Sequence, residues 1–306
     1  MKKYYFFVIA VLAMASCSKI EPNENNPEVQ SSNYKENSNT TEVKETLPTK
    51  KFTFALKGDF SDEWKPVTRG YLTADGKDLT DVWVLDYDSD GNLVQQVHQT
   101  DNTSADFGKP VMNLKYGEHH VYFVASRGQD ATIDTESTIV TFTKIRDTFY
   151  KDYQVDVKAT SNGNRAVTLD RIVTKLKLTL TDAVASETST IDIIPTTWYY
   201  GWNYVNAVPA DAKTSQPVAI SVPSSEIGNT GLTLSIYGFS TATQWTTNVG
   251  LYSKNSDSNI IGSATLSDVP FKSNRASAFS GPLFGSEGTM TLSLNSEWDD
   301  AYEGTW

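Results

Sequence analysis

The peptide bond after Arg69 is a candidate site for chemistry, namely for cleavage by a protease. Arg69 precedes Gly70 and lies in a polar stretch that begins at Gly58 and includes Pro66. Such a stretch is typical of an exposed loop, and an exposed Arg is a cleavage position for a trypsin-like protease. On these residues alone, the favoured interpretation is an ordinary loop that happens to contain an Arg. A cut here would free everything before Gly70 from the rest of the chain.

Two groups of residues have side chains of the kinds that bind metal ions. The run from Asp86 to Asn92 spaces its carboxylates around a Gly as a calcium loop does. Val97 stands where the closing Glu would be, and predicted strands flank the run, so an exposed hairpin tip is the favoured interpretation. The histidines are His98, His119 and His120, and they have neither a neighbouring Cys nor the i, i+4 spacing of a zinc pair. The sequence therefore predicts no metal site.

The motifs of the common enzyme classes are missing from the sequence. It has no Gly-x-Ser-x-Gly nucleophile elbow and no phosphate-binding Gly-Lys-Ser/Thr loop. The only Cys is Cys17, and the adjacent carboxylates Asp299 and Asp300 lie in a polar tail where nothing would raise a carboxyl pKa for acid catalysis. We therefore expect neither an enzyme nor a bound cofactor.

An aromatic cluster, Trp198 to Tyr204, is the one patch that suggests ligand binding. Trp198, Trp202 and Tyr204 carry flat rings that stack well on sugars or on protein side chains. The alternative is that these rings complete a core or a seam between domains. Aromatic clusters in β proteins more often complete such a core or seam, so this second interpretation is favoured over ligand binding.

The element that must position the Arg69 loop is the run from Lys51 to Lys57. Phe52, Phe54 and Leu56 alternate there with Thr53, Ala55 and Lys57, which is the pattern of a half-buried strand. Burying the three apolar side chains is worth about 5 to 9 kcal/mol in all. That rivals the net stability of a whole domain, so the run is predicted to be an integral first strand.

The C-terminal tail is predicted to be a second unusual strand. From Glu297 onwards, Trp298, Tyr302 and Trp306 stand at even positions, so an extended tail presents three large aromatic side chains on one face. Such a tail could fill a groove in another subunit by strand addition. The alternative is a last strand that packs on its own domain.

Most of the remaining chain alternates with the period of β-strands and is punctuated by turn residues, which predicts a mainly β fold with two sandwiches in series. A turn cluster at 161–164 places the domain boundary near Ala166, and a short helix is predicted from Thr141 to Tyr150. The predicted strands are Leu79 to Asp88 and Leu93 to Val97, joined at Asp90-Gly91, then Val111 to Leu114, His119 to Ala125, Tyr153 to Ala159, Lys175 to Thr181, Thr190 to Ile194, Val218 to Val222, Leu232 to Phe239, Val249 to Tyr252, Ile260 to Leu266 and Thr289 to Leu294.

The N-terminus and the net charge indicate where the protein acts. Lys2, Lys3 and an apolar run end in Met14-Ala15-Ser16-Cys17, which resembles a bacterial lipoprotein signal in which Cys17 becomes the lipidated first residue. Residues 18–49 then form a polar, disordered tether. A net charge of -11 argues against nucleic-acid binding.

The order of these features resembles the fimbrillins, subunits of the type V pili of anaerobic Gram-negative bacteria. The matching segments, in order, are Phe52 to Lys57, Thr68 to Gly70, Leu79 to Gly91, Val121 to Ala125, Leu169 to Lys175, Phe271 to Phe284 with Asn274-Arg275, and Glu297 to Trp306. The resemblance implies two tandem transthyretin-like β-sandwich domains, 50–166 and 167–306, after a lipoprotein signal, 1–17, and the tether.

The resemblance also implies an assembly mechanism. An outer-membrane lipoprotein precursor is cut after Arg69 by an Arg-specific surface protease, which releases Phe52, Phe54 and Leu56. The tail of a neighbouring fimbrial subunit, with Trp298, Tyr302 and Trp306, then fills the groove and extends a fimbria at the cell surface. Two alternatives are a non-polymerising anchor or tip subunit and a surface lipoprotein that binds glycans through Trp198, Trp202 and Tyr204.

Overall fold

The computed structural model describes residues 47–58, 70–71, 79–284 and 291–292. Apart from one 3-10 helix, Ser224–Glu226, the regular elements of these residues are strands, and no helix among them is long and apolar enough to cross a bilayer. The strands are β1 (Thr49–Gly58), β2 (Gly70–Tyr71), β3 (Asp81–Asp88), β4 (Leu93–Gln99), β5 (Val111–Lys115), β6 (Gly117–Ser126), β7 (Ala131–Asp134), β8 (Ile139–Phe142), β9 (Thr148–Val157), β10 (Asn164–Thr168), β11 (Asp170–Arg171), β12 (Val173–Leu180), β13 (Thr190–Pro195), β14 (Thr197–Asn203), β15 (Val208–Thr214), β16 (Val218–Ser221), β17 (Thr233–Phe239), β18 (Trp245–Lys254), β19 (Ile260–Phe271), β20 (Ala276–Gly281) and β21 (Thr291–Leu292).

Most of these strands form two β-sandwiches that share one strand order. In the first, β10-β1-β5 packs against β9-β6-β3-β4; in the second, β20-β12-β17 packs against β19-β18-β13-β16. In each sandwich the first strand, β1 or β12, is parallel to the last, β10 or β20, and antiparallel to β5 or β17. The prediction of a mainly β fold built from sandwiches is therefore confirmed, and β1 and β12 occupy equivalent central places.

Alternation of apolar and polar residues builds these central strands. In β12, Leu176, Leu178 and Leu180 are fully buried, whereas Lys175 and Lys177 between them are partly exposed. Successive side chains of a strand point to opposite faces, so every second residue enters the core. The strict alternation predicted from Lys175 onwards is confirmed.

A separate four-stranded sheet, β15-β14-β8-β7, connects hairpins from distant parts of the sequence. One hairpin follows β6, the other follows β13, and they join where Gly201 pairs with Thr141. A Cβ atom on Gly201 would lie 3.1 Å from the Val140 carbonyl oxygen, so glycine allows the two strands to approach. The predicted helix from Thr141 to Tyr150 is wrong, because Val140 and Phe142 alternate into the core of a sheet and β9 begins at Thr148.

Two hydrophobic clusters fill the part of the molecule that the structure describes. The first contains residues between Phe52 and Leu169 and lies inside the first sandwich. The second extends from the outer face of the first sandwich, at Leu85, through the four-stranded sheet into the second sandwich. The boundary predicted near Ala166 stays a prediction; β10 spans this position and pairs with β1.

A buried ion pair fixes the short segment that leads from β10 to β12. The guanidinium of Arg171 donates from Nε and Nη2 to the Asp147 carboxylate at 2.6 and 2.9 Å, and from Nη1 to Asn274 Oδ1 at 2.9 Å. It also lies 4.7 Å over the Phe149 ring. Two segments far apart in the sequence, Leu169 to Lys175 and the Asn274 turn, thereby meet.

Candidate functional site

The first strand is the centre of the candidate site because it is paired along both edges. Thr49 to Thr53 pair antiparallel with β5, and Thr53 to Lys57 pair parallel with β10. Beyond β5, the amides of Phe54 and Leu56 donate to the carbonyl oxygens of Pro110 and Gly108, each at 3.0 Å. We call the space that β1 occupies between β5 and β10 the first-strand slot.

The side chains of β1 reach the centre of the first core. Phe52 and Phe54 are 0% exposed and Leu56 is 1% exposed. The Phe54 ring packs edge-on against Phe123 and Tyr153, with centroids 5.2 and 5.8 Å apart. The structure thus confirms the alternating strand, and the estimate of about 5 to 9 kcal/mol for its three apolar side chains applies in full.

The residues that would line an empty slot are apolar. Without β1, the strand edges of β5 and β10 would lose their partners, and a set of core side chains would be exposed to water. That set comprises Val82, Val84, Met112, Leu114, Val121, Phe123, Val157 and Val167. An apolar groove with two open edges is adhesive and favours capture of another strand.

One glycine lets the chain approach β1 very closely. The carbonyl oxygen of Gly163 accepts a hydrogen bond from the Thr53 amide at 2.7 Å. A Cβ atom built on Gly163 would meet the carbonyl oxygen of Lys51, so any larger residue would push β1 out of its position. The slot is therefore shaped to the backbone of the strand as well as to its side chains.

A buried His–Asp pair holds β5, which is one wall of the slot. His119 Nδ1 lies 2.7 Å from Asp86 Oδ1 and its Nε2 lies 3.0 Å from the Lys115 carbonyl oxygen. Gln95 Nε2 donates to Asp86 Oδ2 at 3.3 Å and to the Asn113 carbonyl oxygen at 3.0 Å. Two carbonyl groups of β5 are thus tied to the facing sheet.

This pair predicts a pH-dependent stability. The hydrogen bond to Asp86 raises the pKa of His119 above its ordinary value. Stability gained from a raised pKa is complete below the unfolded-state value of about 6.5 and is lost as pH rises through the folded-state pKa. We expect the free energy of unfolding to fall as pH increases from 6 to 9, and this fall to be smaller in His119→Gln.

Urea unfolding of both proteins at each pH measures this difference. His120→Gln is the matched control, because His120 is 41% exposed at its side chain and pairs with Asp152 at 3.2 Å. An equal pH dependence in wild type and His119→Gln would contradict the assignment.

The structure places one residue of the predicted cleavage site. Gly70 begins β2 and pairs with Gly58, the last residue of β1. Arg69 lies outside the described residues, and so do Cys17, Trp298, Tyr302 and Trp306. Their roles in cleavage, lipidation and strand donation stay predictions. The described part of the C-terminal segment, β21, pairs with β20 at the edge of its sheet.

The aromatic cluster requires a correction. Trp198, Trp202 and Tyr204 are 1%, 3% and 0% exposed, so their rings cannot stack on a glycan. Trp198 Nε1 donates to the Tyr237 carbonyl oxygen at 3.0 Å. The Tyr204 hydroxyl lies 2.8 Å from that of Tyr87, and burial raises the pKa of Tyr204. These residues form a core seam, which was the favoured interpretation, and the possible ligand role is wrong.

The other residues with possible chemistry have structural partners. Asp88 accepts hydrogen bonds from the amides of Asp90 and Asn92 at 3.1 and 2.9 Å, so the acidic run is the turn of the β3–β4 hairpin, as predicted. The described ranges contain no cluster of three His, Cys, Asp or Glu residues that could hold a metal ion. His98 lies beside Asp81 and stacks on Trp83 with centroids 3.7 Å apart.

The sequence patterns did not indicate that some residues help to build the site. Gly163 appeared only as part of a turn cluster, and His119 only as a histidine without a zinc partner. Their roles depend on contacts with Lys51 and Asp86, which are distant in sequence. A buried position for His119 was suggested only by its place at the start of a predicted strand.

Comparisons with known proteins give a similarity of fold. No family model matches the sequence, and neither does any curated protein. A candidate adhesin from Bacteroides ovatus superposes with a TM-score of 0.51 at 14% identity, over 86% of this chain and 98% of that one. The chain therefore shares the fold of that protein.

Two fimbrial proteins are also structurally similar. For the fimbrial anchor protein Mfa2 from Porphyromonas gingivalis, the TM-score is 0.45 at 9% identity, over 76% of this chain and 91% of that one. For a fimbrial assembly protein from Parabacteroides distasonis, the TM-score is 0.43 at 11% identity, over 80% and 95%.

Proposed function

We propose that this protein is a structural subunit of a cell-surface fimbria that assembles by exchange of its first strand. The observation that carries the proposal is the position of β1, whose Phe52, Phe54 and Leu56 are buried in the core although a single loop sequence joins the strand to everything downstream. The Bacteroides ovatus protein that shares the fold is designated a candidate adhesin, which supports a surface role.

The first step is cleavage after Arg69 by an Arg-specific surface protease. Arg69 is the only arginine between Gly58 and Leu79, so a protease of that specificity has one target in the connection. Because Gly58 pairs with Gly70, the connection leaves and rejoins the sheet at one point. Cutting this connection breaks the covalent link between β1 and the chain downstream of it. The chain from Gly70 onwards stays in one piece.

The second step is replacement of β1 by a strand from a neighbouring subunit. The donor is the C-terminal tail, in which Trp298, Tyr302 and Trp306 supply aromatic side chains for the apolar slot. Losing β1 costs about 5 to 9 kcal/mol of burial, so the open subunit is driven to bind another strand. Head-to-tail contacts of this kind extend into a filament.

Attachment to the outer membrane precedes assembly. Cys17 is the residue that a lipid would modify, and the polar tether from residue 18 gives the sandwiches reach from the membrane. Before cleavage the resident β1 fills the slot and prevents assembly. Other fimbrial subunits and the protease are therefore the expected partners, with adhesion as the outcome. A subunit that kept β1 would instead act as an anchor or tip.

Processing at Arg69 is the experiment that tests this function. We expect an Arg-specific protease to convert the protein, purified without its signal peptide, into a product that begins at Gly70 and forms SDS-resistant ladders. Arg69→Lys keeps the charge and should stay intact and monomeric. Intact mass and unheated SDS gels measure both. A cut protein that stays monomeric would contradict polymerisation and favour the anchor or tip role.

A further inference from the structure

The second sandwich is open on the side where the first is closed. In the first sandwich, Gln95 of β4 donates to the Asn113 carbonyl oxygen of β5 and bridges the two sheets. The equivalent strands of the second sandwich, β16 and β17, flank a cleft of about 810 Å³. We call it the β16–β17 cleft.

The β17 wall of this cleft is a strand edge. Leu180 N donates to the Leu232 carbonyl oxygen at 2.9 Å, and Ser240 N donates to that of Ile172 at 3.0 Å. In an antiparallel pair, hydrogen-bonded residues alternate, so even-numbered residues of β17 bond to β12 and the amides of Thr233 and Ser235 point away from it. Among the described strands, β12 is the only one that pairs with β17.

The side chains of the cleft combine an apolar floor with a cationic rim. The larger aliphatic lining residues are Val218 and Ile220, which are partly exposed, and Ile145, Leu234 and Ile236, which are buried. The rim carries Lys144 and Arg146, both exposed, and the lining includes no carboxylate. This contrasts with the whole chain, in which 37 Asp and Glu outnumber 26 Lys and Arg.

One buried polar atom in the cleft lining has no hydrogen-bond partner in the part of the chain that the structure describes. The hydroxyl oxygen of Tyr200 is buried in the lining without a hydrogen-bond partner among the described residues. Two acidic groups lie beside these elements. Asp130 Oδ2 accepts from the Lys144 amide at 2.7 Å, whereas its Oδ1 is buried without a hydrogen-bond partner in the described ranges and lies with Arg146 Nε next to Gly128. Asp211 pairs with Lys213 at 2.5 Å. The Lys144 and Arg146 side chains form no ion pair within the described part of the chain.

We propose that the β16–β17 cleft binds an extended acidic segment of another polypeptide by strand addition to β17. The backbone of the segment pairs with the amides of Thr233 and Ser235. Its aliphatic side chains cover the apolar floor, and its carboxylates face Lys144 and Arg146. Backbone pairing of this kind gives affinity, and the alternating side chains give selectivity. The site is independent of the first-strand slot, since it leaves β1 in place.

Binding of a model peptide to the uncleaved protein tests the proposal. The probe is a seven-residue peptide of alternating Asp and Val, and the comparison peptide alternates Lys and Val. We expect saturable binding of the acidic peptide alone, weakened by salt, with slower hydrogen exchange at the Thr233 and Ser235 amides. Equal binding of both peptides, or no added protection at these amides, would overturn the proposal.

Two variants separate the backbone contribution from the charge contribution. Ser235→Pro removes one outward amide and spares the pairing with β12, which an edge strand tolerates. Lys144→Glu combined with Arg146→Glu reverses the rim, and Lys158→Glu, at an exposed position in the first sandwich, is the matched control. We expect at least tenfold weaker binding for the first two and no change for the third. Wild-type affinity in the rim variant would refute the proposal even if Ser235→Pro failed to fold.

Discussion

Replacing Phe54 by alanine is expected to lower the free energy of unfolding by about 3 to 5 kcal/mol, the cost typical of deleting a buried aromatic side chain. Phe54 is 0% exposed and its ring contacts those of Phe52, Phe123 and Tyr153. The cavity would lie at the middle of β1, between both walls of the first-strand slot. Urea denaturation of the uncleaved protein measures the loss.

Val111→Ala is the matched control for this variant. Val111 lies on β5, pairs with Thr53 of β1 and is 44% exposed, so its truncation should cost less than about 1 kcal/mol. If Phe54→Ala were no more destabilising than Val111→Ala, β1 would not be an integral part of the core. The energetic reason for replacing it after cleavage would then disappear.

Replacing Arg171 by methionine is also expected to cost about 3 kcal/mol, the lower end of the cost of breaking a buried ion pair. In this variant Asp147 loses its bidentate partner but keeps the longer contact with Arg127 Nε at 3.4 Å. The side chains of Arg171 and Asp147 are 2% and 3% exposed. The variant also removes the contact with Asn274, which joins the segment after β10 to the second sandwich. Thermal or urea unfolding of the purified variant measures the effect.

An exposed ion pair nearby provides the control for Arg171→Met. Lys151 Nζ lies 3.0 Å from Asp170 Oδ2, with side chains 40% and 67% exposed. Such surface pairs contribute about 0 to 1 kcal/mol, so Lys151→Met should be nearly neutral. Equal costs for the two variants would show that burial of the Arg171 pair is not what stabilises this junction.

Local patterns in the sequence were sufficient to predict the central strands. Phe52, Phe54 and Leu56 in β1, and Leu176, Leu178 and Leu180 in β12, alternate with polar residues because one face of each strand is core. The hairpin turn at Asp90-Gly91 was equally local, since Gly91 adopts a positive φ of 78°. Side-chain period and turn chemistry depend on neighbours in sequence, so a single chain reveals them.

Features formed by distant segments could not be predicted in the same way. The four-stranded sheet joins Ile139 to Asn203. Trp202 is buried because its ring packs against Tyr150 and Phe239, which are distant in the sequence. A cluster of aromatic residues can either bind a ligand or belong to a core. Which of the two applies depends on the segments that cover the rings. The partner of Arg171 at Asn274 is likewise more than a hundred residues away, which no local pattern shows.

The seam formed by these aromatic residues bears on the proposed assembly. Tyr150 donates from its hydroxyl to the Tyr204 carbonyl oxygen at 2.6 Å, and burial raises the pKa of Tyr150. The outer face of the first sandwich is therefore fastened to Tyr204, the residue after β14, by a hydroxyl that stays neutral at physiological pH. The proposed exchange of β1 concerns the other face of the sheet that contains β9, so it would leave this seam intact.

Exchange of the first strand is the measurement that tests the account most directly. A labelled synthetic peptide with the sequence of residues 49–58 would be added in excess to protein cut after Arg69 and to uncut protein, and native mass would be followed with time. We predict that cut protein loses its own N-terminal fragment and binds one labelled peptide, whereas uncut protein binds none. Cut protein that kept its fragment and took up no peptide would contradict an exchangeable first strand.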